Sequence, residues 1–458
     1  MSDDLAYLSL VAATRLMRAR ELSPVDLARA LLARIDAHDG RIHAFLTVDR
    51  KGALDAARRA ERALAAGEDT GPLTGVPLAI KDIVDVAGQP TTAGSRVLAG
   101  NVATTDATLV ATLRAAGASI LGKTNTHEFA YGVITSPTRN PWDPTRIPGG
   151  SSGGSAAALA AGMAPGAIGT DTAGSIRLPA ALCGVVGLKP TYGRVDLHGV
   201  IPLSWSLDHG GPLARTVADV ALLFDILTGS ATRDLGDNPP ASPFAEGDDI
   251  RRPRVGVPRA YFYERLEPAV ANAVDAALRT LESLGAEVRE VDLPDVGLTF
   301  AVGRAVQRPE ASAYHRERLR ATPELYGPEV RVDLELGELF LATDYVHAQR
   351  VRASLRDRWL AVMDDVDLLV TPTAPIVAPP ATDDILSGPI KGTLLRNTYP
   401  FSLVGFPSLS LPCGMSPDGL PVGLQLTGRP FAEATVLRIG QGYEQATPWH
   451  AMRPLLTR

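Results

Sequence analysis

Gly149-Gly150-Ser151-Ser152-Gly153-Gly154-Ser155, followed by Gly169-Thr170-Asp171-Thr172-Ala173-Gly174-Ser175-Ile176-Arg177, decides how the rest of this 458-residue chain is read. Ser151 and Ser175 lie 24 positions apart (175 − 151), each next to a glycine. Glycine beside a serine leaves the hydroxyl open and frees backbone N–H groups to face a developing negative charge. Upstream, Gly75-Val76-Pro77-Leu78-Ala79-Ile80-Lys81-Asp82 reads as a short buried strand over 76–80 that ends at Lys81. Further short apolar runs at 118–121, 166–170 and 185–188 alternate with helical patterns at 106–116 and from Ala156. The alternation predicts an α/β fold layered around a mixed sheet.

Outward from this centre, Ser23-Pro24 predicts a capped helix over 25–35, and 51–66 a second helix closed by Gly67. Residues 1–70 are expected to form a helical layer on a catalytic domain spanning 71–458. Downstream, strands are expected at 254–257, 287–291, 367–370, 409–412 and 423–426, and helices at 269–284 and 346–362. The Asp-, Pro- and Gly-rich 236–254 segment reads as a loop or linker. It begins a stretch, 235–345, expected to be a variable substrate-cap region.

Three shorter patterns compete for the chemistry. Gly117-Ala118-Ser119-Ile120-Leu121-Gly122-Lys123-Thr124 satisfies the letters of a phosphate-binding loop. Such a loop needs a strand before it and a helix after it, and here a helix precedes it while apolar strand residues lie inside it. Gly149 to Gly153 also fits G-x-S-x-G, with His198 or His209 as a candidate base. The lead-in, with Pro141, Pro144 and Pro148, cannot be a central strand. The eight histidines show no H-x-x-x-H or H-E-x-x-H spacing and the two cysteines lie 230 positions apart (413 − 183), so no metal site is expected.

The run from Gly75 to Ala218 resembles the amidase signature family, whose members cleave C–N bonds with a Ser–Ser–Lys triad. The resemblance implies an α/β/α fold with a large twisted mixed sheet, and no cofactor. It makes Lys81 the base, Ser151 the bridging serine with a cis peptide bond, and Ser175 the nucleophile. It also implies an oxyanion hole from the backbone of Thr172, Ala173, Gly174 and Ser175, with Ser152, Asp171 and Arg177 as supports. Ala173 stands where the commonest family pattern has glycine. The chemistry accounts for the residue types: a serine hydroxyl needs an adjacent base, and lysine serves only when neutral.

Phe129, Tyr131, Gly132, Val133 and Ile134, with Leu203 and Trp205, read either as an uncharged substrate pocket or as core. The family includes one component of the glutamine-dependent tRNA amidotransferases, their glutaminase chain, which grips the glutamine carboxylate with basic residues before a Met-Leu-Gly. Here that stretch reads Glu329-Val330-Arg331-Val332-Asp333-Leu334-Glu335-Leu336-Gly337, with acidic Asp333 at the expected arginine. This favours a free-standing amidase acting on small uncharged aryl or alkyl amides or carbamates. The amidotransferase component is the alternative. All three triad positions are present, so nothing supports a catalytically silent binding protein.

The net charge of −6, without a dense basic block, gives no reason to expect nucleic-acid or anionic-membrane partners. No apolar run reaches the ~18 residues of a membrane span, and Met1-Ser2-Asp3-Asp4 does not open like a signal peptide. Cys183 and Cys413 read as buried thiols of a reducing cytoplasm, and the expected assembly is a monomer or homodimer.

Overall fold

The structure, a computed structural model, describes residues 5–68, 71–229, 252–382 and 390–456. Eleven strands form one mixed sheet. They are β1 (Phe45–Val48), β2 (Pro77–Lys81), β3 (Ser119–Thr124), β4 (Gly166–Asp171), β5 (Val186–Lys189), β6 (His209–Ala214), β7 (Arg254–Val257), β8 (Glu287–Glu290), β9 (Leu368–Pro372), β10 (Ser408–Met415) and β11 (Pro421–Gly428). Their order is β1-β3-β2-β4-β6-β5-β10-β11-β9-β7-β8. β2 runs parallel to both β3 and β4, and β7 to both β8 and β9, while the intervening pairs are antiparallel. Helices cover the sheet, giving the expected α/β architecture.

The expected N-terminal helices are present as Pro24–Ile42 and Arg50–Ala66. Ser23 caps the first by accepting from the amides of Val25 and Asp26, and Gly67 closes the second at φ 74°. The 1–70 segment, expected to form a helical layer, also carries β1, which pairs with β3 and extends the sheet. Phe45 and Val48 pack there against the same cluster as Ala79 and Leu121, which supplies the apolar cover the edge needs. The expected loop at 236–251 lies outside the described residues, whereas Arg254 opens β7. Much of 252–345 is helical, through Pro268–Ser283, Thr299–Ala321 and Pro328–Gly337.

One helix fixes the position of the serine loop. Gly153–Ala160 is buried along its whole length, and its side chains are almost all hydrogen, methyl or hydroxymethyl. Such small groups let the helix lie close against Ala79, Leu121, Ala167 and Leu213, which come from β2, β3, β4 and β6. Ser155 within it bonds to Thr124 across 2.7 Å. The N-terminus of this helix therefore holds Ser151 and Ser152 over the carboxyl ends of β2 and β4.

Candidate active site

β2 and β4 are parallel neighbours in the register Ile80↔Ile168, so their last residues, Lys81 and Asp171, emerge at the same sheet edge. That edge, at the carboxyl ends of parallel strands, is the usual place for ligand chemistry in open α/β sheets. Lys81 is fully buried. Its Nζ donates to Ser151 Oγ at 2.7 Å and to Thr170 Oγ1 at 2.8 Å. Burial pushes the Lys81 ammonium down to about 7 from its ordinary 10.5, although the nearby Asp208 and Asp171 carboxylates oppose the fall. The Gly150–Ser151 peptide is cis, as the resemblance implied. Thr170 stands inside the motif, but its contact with Lys81 becomes visible only with the strand register.

Ser175 follows a turn in which Gly174 has φ 146°, a backbone region closed to other residues. A Cβ on Gly174 would also collide with Thr398 Oγ1. That hydroxyl donates to the Ala173 carbonyl at 2.7 Å. In a trans peptide the N–H points opposite the C=O, so this bond turns the Gly174 amide away from Thr398. Among the described residues, the amides of Thr172, Ala173, Gly174 and Ser175 have no hydrogen-bond acceptor, whereas those of Ile176 and Arg177 donate to Asp171. Ala173 keeps a negative φ, so its methyl group is accommodated without backbone strain. The Ser175 carbonyl accepts from the Ser152 amide at 3.1 Å, which seats the two serine loops against each other.

Asp171 and Arg177 form a fully buried pair, Nε and one amino group each donating at 2.9 Å to a different carboxylate oxygen. Burial alone would raise the Asp171 carboxyl, but the Arg177 charge and hydrogen bonds hold it well below the usual carboxylate range. The remaining Arg177 donors reach the Thr398 carbonyl, Gln425 Oε1 and Ser402 Oγ. A buried pair with every donor engaged is costly to break, about 3–5 kcal/mol when one partner is removed. Ser152 Oγ donates to the Thr170 carbonyl at 3.2 Å and so ties the first loop to β4.

Asp208 is a site residue that the motifs do not contain. Its carboxylate accepts from Thr172 Oγ1 and from the amides of Leu203 and Ser204 at 2.8 and 3.0 Å. Burial raises it to about 6 despite these bonds. The competing motifs resolve differently. The loop-like 117–124 segment is largely β3, and Lys123 is buried in an ion pair with Asp82 at 2.9 Å, so no phosphate cradle exists there. His209, a candidate base for the serine elbow, is buried with Nδ1 against the Asp171 carbonyl at 3.0 Å, and burial holds it neutral, well below its ordinary range. His198 is exposed. Among the described residues no cluster of three or more His, Cys, Asp or Glu could hold a metal ion. Both cysteines are buried and unpaired.

A cavity of about 410 Å³ opens beside Ser175, Thr172 and Ala173. Of the expected pocket residues, Tyr131, Gly132, Val133 and Leu203 line it. Three do not. Phe129 is buried against His315 and Tyr326, Ile134 belongs to the core, and Trp205 is 52% exposed with its ring edge-on to Tyr314. The expectation of an uncharged pocket is also corrected, because Arg304, Arg308, Glu329, Asp333 and Lys391 are all part of its wall. The arginines come from the Thr299–Ala321 helix, within the stretch expected to be a substrate-cap region. Asp333 bonds Arg308 at 2.6 Å and Lys391 at 2.9 Å.

Residues 26–437 match the family model described as Amidase. The chain belongs to the amidase signature family. It is 45% identical to the GatA-type component of the glutamyl-tRNA(Gln) amidotransferase of Chloroflexus aurantiacus, over 99% of each chain. It is equally, 45%, identical to a protein of Pseudomonas putida named amidase, over 99% of this chain and 98% of that one. Among solved structures, a crystal structure of an amidase superposes with a TM-score of 0.86 at 37% identity, covering 96% of this chain and 99% of the other. These two curated relatives, with different names, thus share the same identity with this chain. No described helix is long and apolar enough to cross a membrane.

Proposed function

We propose that this amidase-family chain hydrolyses small amides through Lys81, Ser151 and Ser175. The observation that carries the reading is the buried Lys81–Ser151 hydrogen bond, made by a lysine whose burial leaves it substantially neutral near pH 7. In this mechanism neutral Lys81 draws the Ser151 proton as Ser151 takes that of Ser175, whose oxygen attacks the amide carbon. The oxyanion forms beside the unengaged amides of the Thr172–Ser175 turn, where each such donor is worth roughly 3 kcal/mol in the transition state. The proton returns through Ser151 to the departing nitrogen, since an amine leaves only when protonated. Water then attacks the acyl-enzyme by the same route in reverse, releasing acid and free Ser175.

The apolar part of the cavity wall, with Val133 and Leu203, suits the carbon skeleton of a small amide. A carbamate presents a C–N bond to the same groups and is a further substrate class to test. A serine-directed sulfonyl fluoride is expected to label Ser175, and Ser175→Ala to lose turnover by several orders of magnitude while keeping its fold. Mass spectrometry placing the adduct on Ser151 would overturn the assignment.

The second reading is the GatA-type amidotransferase component, favoured by 45% identity over the whole length of the Chloroflexus protein. It predicts that glutamine becomes the best substrate only once the other amidotransferase components are added. The acid at Asp333, bonded to three cations, speaks for the free amidase.

A further inference from the structure

The peptide units of the Thr172–Ser175 turn are held in different ways. The Gly174 carbonyl accepts from the Leu178 amide at 2.7 Å, so the start of the Arg177–Cys183 helix fixes the Gly174–Ser175 peptide and the direction of the Ser175 amide. Thr172 is tied through its own hydroxyl to Asp208. The Ala173–Gly174 peptide has no such local support. Among the described residues one donor reaches the Ala173 carbonyl, Thr398 Oγ1 at 2.7 Å, from 225 positions further along the chain. The same hydroxyl lies 3.4 Å from the Leu395 carbonyl, and its one proton serves the shorter contact. Glycine makes the anchor matter. A peptide unit turns about the ψ of the residue before it and the φ of the residue after it, and glycine at 174 leaves that φ open.

Thr398 is itself firmly held. It is fully buried, its carbonyl accepts from Arg177 at 3.0 Å, and its amide donates to the Leu395 carbonyl at 3.2 Å. The preceding Asn397 is clamped through Nδ2 to the Phe262 and Pro372 carbonyls, and its own carbonyl accepts from Gln425. Leu395 and Tyr399 line the cavity beside Ser175 together with Ala173, whereas Thr398 does not, so its hydroxyl stands behind the turn. We propose that Thr398 is a positioning residue for the reaction: by holding the Ala173 carbonyl from behind, it aims the Gly174 N–H at the oxygen that gains charge when Ser175 attacks. The proposal rests on amide hydrolysis at Ser175. Thr398 bonds to neither Lys81, Ser151 nor Ser175, so loss of its hydroxyl weakens the charged transition state and leaves ground-state binding and the lysine proton alone.

Thr398→Val replaces the hydroxyl by a methyl group of similar size, and Thr398→Ser keeps the donor. With hexanamide, followed by ammonia release, Thr398→Val is expected to lose about ten- to a hundredfold in kcat while KM stays within about threefold. Thr398→Ser should return kcat to within about threefold of wild type, and kcat/KM should break at the same pH in all three chains. The ketone 1,1,1-trifluoroheptan-2-one gives a reading that needs no turnover. Ser175 Oγ bonds to its carbonyl carbon, the C=O π pair moves onto oxygen as an oxyanion, and the serine proton passes by way of Ser151 to Lys81. Protection of Ser175 from the sulfonyl fluoride reports this adduct. Thr398→Val should need about ten- to a hundredfold more ketone for protection than wild type, while 1-hexanol, which forms no oxyanion, protects both alike. Should Thr398→Val not fold, Thr398→Ala takes its place. The role is overturned if KM carries the loss, if the pH break moves, if Thr398→Ser is as impaired as Thr398→Val, or if the ketone protects all chains equally. A wild type that is labelled at Ser175 but not protected by the ketone sinks this role alone. No amide cleaved and no label on Ser175 sinks the amidase reading, and the role with it.

Discussion

Replacing Lys81 by methionine separates two consequences of burying one lysine. The ordinary ammonium value is 10.5 and the folded one about 7. This difference corresponds to roughly 5 kcal/mol between charged and neutral forms. Because the folded value lies below the unfolded one, the unfolded chain holds more protons between those limits. Stability of the wild type therefore rises with pH from about 7 toward 10.5, and the full cost of the buried charge is felt below 7. Lys81→Met abolishes that slope. It also removes the bonds to Ser151 and Thr170, about 1 kcal/mol each, which shifts the whole curve without tilting it. Urea unfolding of both proteins from pH 6 to 9 should show the mutant's advantage shrinking by roughly 2 kcal/mol between pH 7 and 9. Activity rises with loss of the same proton, but on the other side of that pH. Wild-type kcat/KM should climb tenfold per pH unit at low pH, level off above about 7, and stand near ~3% of its plateau at pH 5.5. Both curves should break at the same pH. A stability difference that ignores pH, or a flat kcat/KM from 5.5 to 8.5, would refute the neutral-lysine argument.

Two further outcomes follow from the geometry around Ser175. Asp208→Asn removes a negative charge that holds the Lys81 value up, so the rise of kcat/KM should move to lower pH; an unmoved or upward-moved break would contradict that coupling. Gly174→Ala must adopt φ near 146° and push against Thr398, so it should lose ~2–5 kcal/mol of stability in urea titrations together with most activity, and a variant of wild-type stability would show that the turn is not fixed as described.

The legible parts of this chain were those in which one residue type does one job. β2 to β5 stood out as short apolar runs stopped by Lys81, Gly122, Asp171 and Lys189, and Ser151, Ser175 and Lys81 because their motif is dense. β6 was missed: His209-Gly210-Gly211-Pro212-Leu213-Ala214 reads as a turn, yet it is a buried strand between β4 and β5. Pro212 is tolerated because β5 pairs only with Leu213 and Ala214. Gly211 is needed because a Cβ there would strike the Leu188 carbonyl. The helix that brings Arg304 and Arg308 to the cavity was hidden by Gly303 and by Pro309 within it. Its arginines look like solvent-facing charge until the Pro328–Gly337 helix, bearing Asp333, packs against them. Nothing in a linear pattern reports a partner 25 or more residues away, as between Arg308 and Asp333.

The place of β10 and β11 near the middle of the sheet, between β5 and β9, bears on how the molecule is made. A ribosome releases Lys81, Ser151 and Ser175 early, but Thr398, Ser402 and Gln425, which receive the Arg177 donors, emerge more than 200 residues later. Until then the β5 edge is open and the Arg177 guanidinium lacks three of its five acceptors. A chain stopped short of Thr398 holds Lys81, Ser151 and Ser175 and still lacks the acceptors that fix Arg177 beside them.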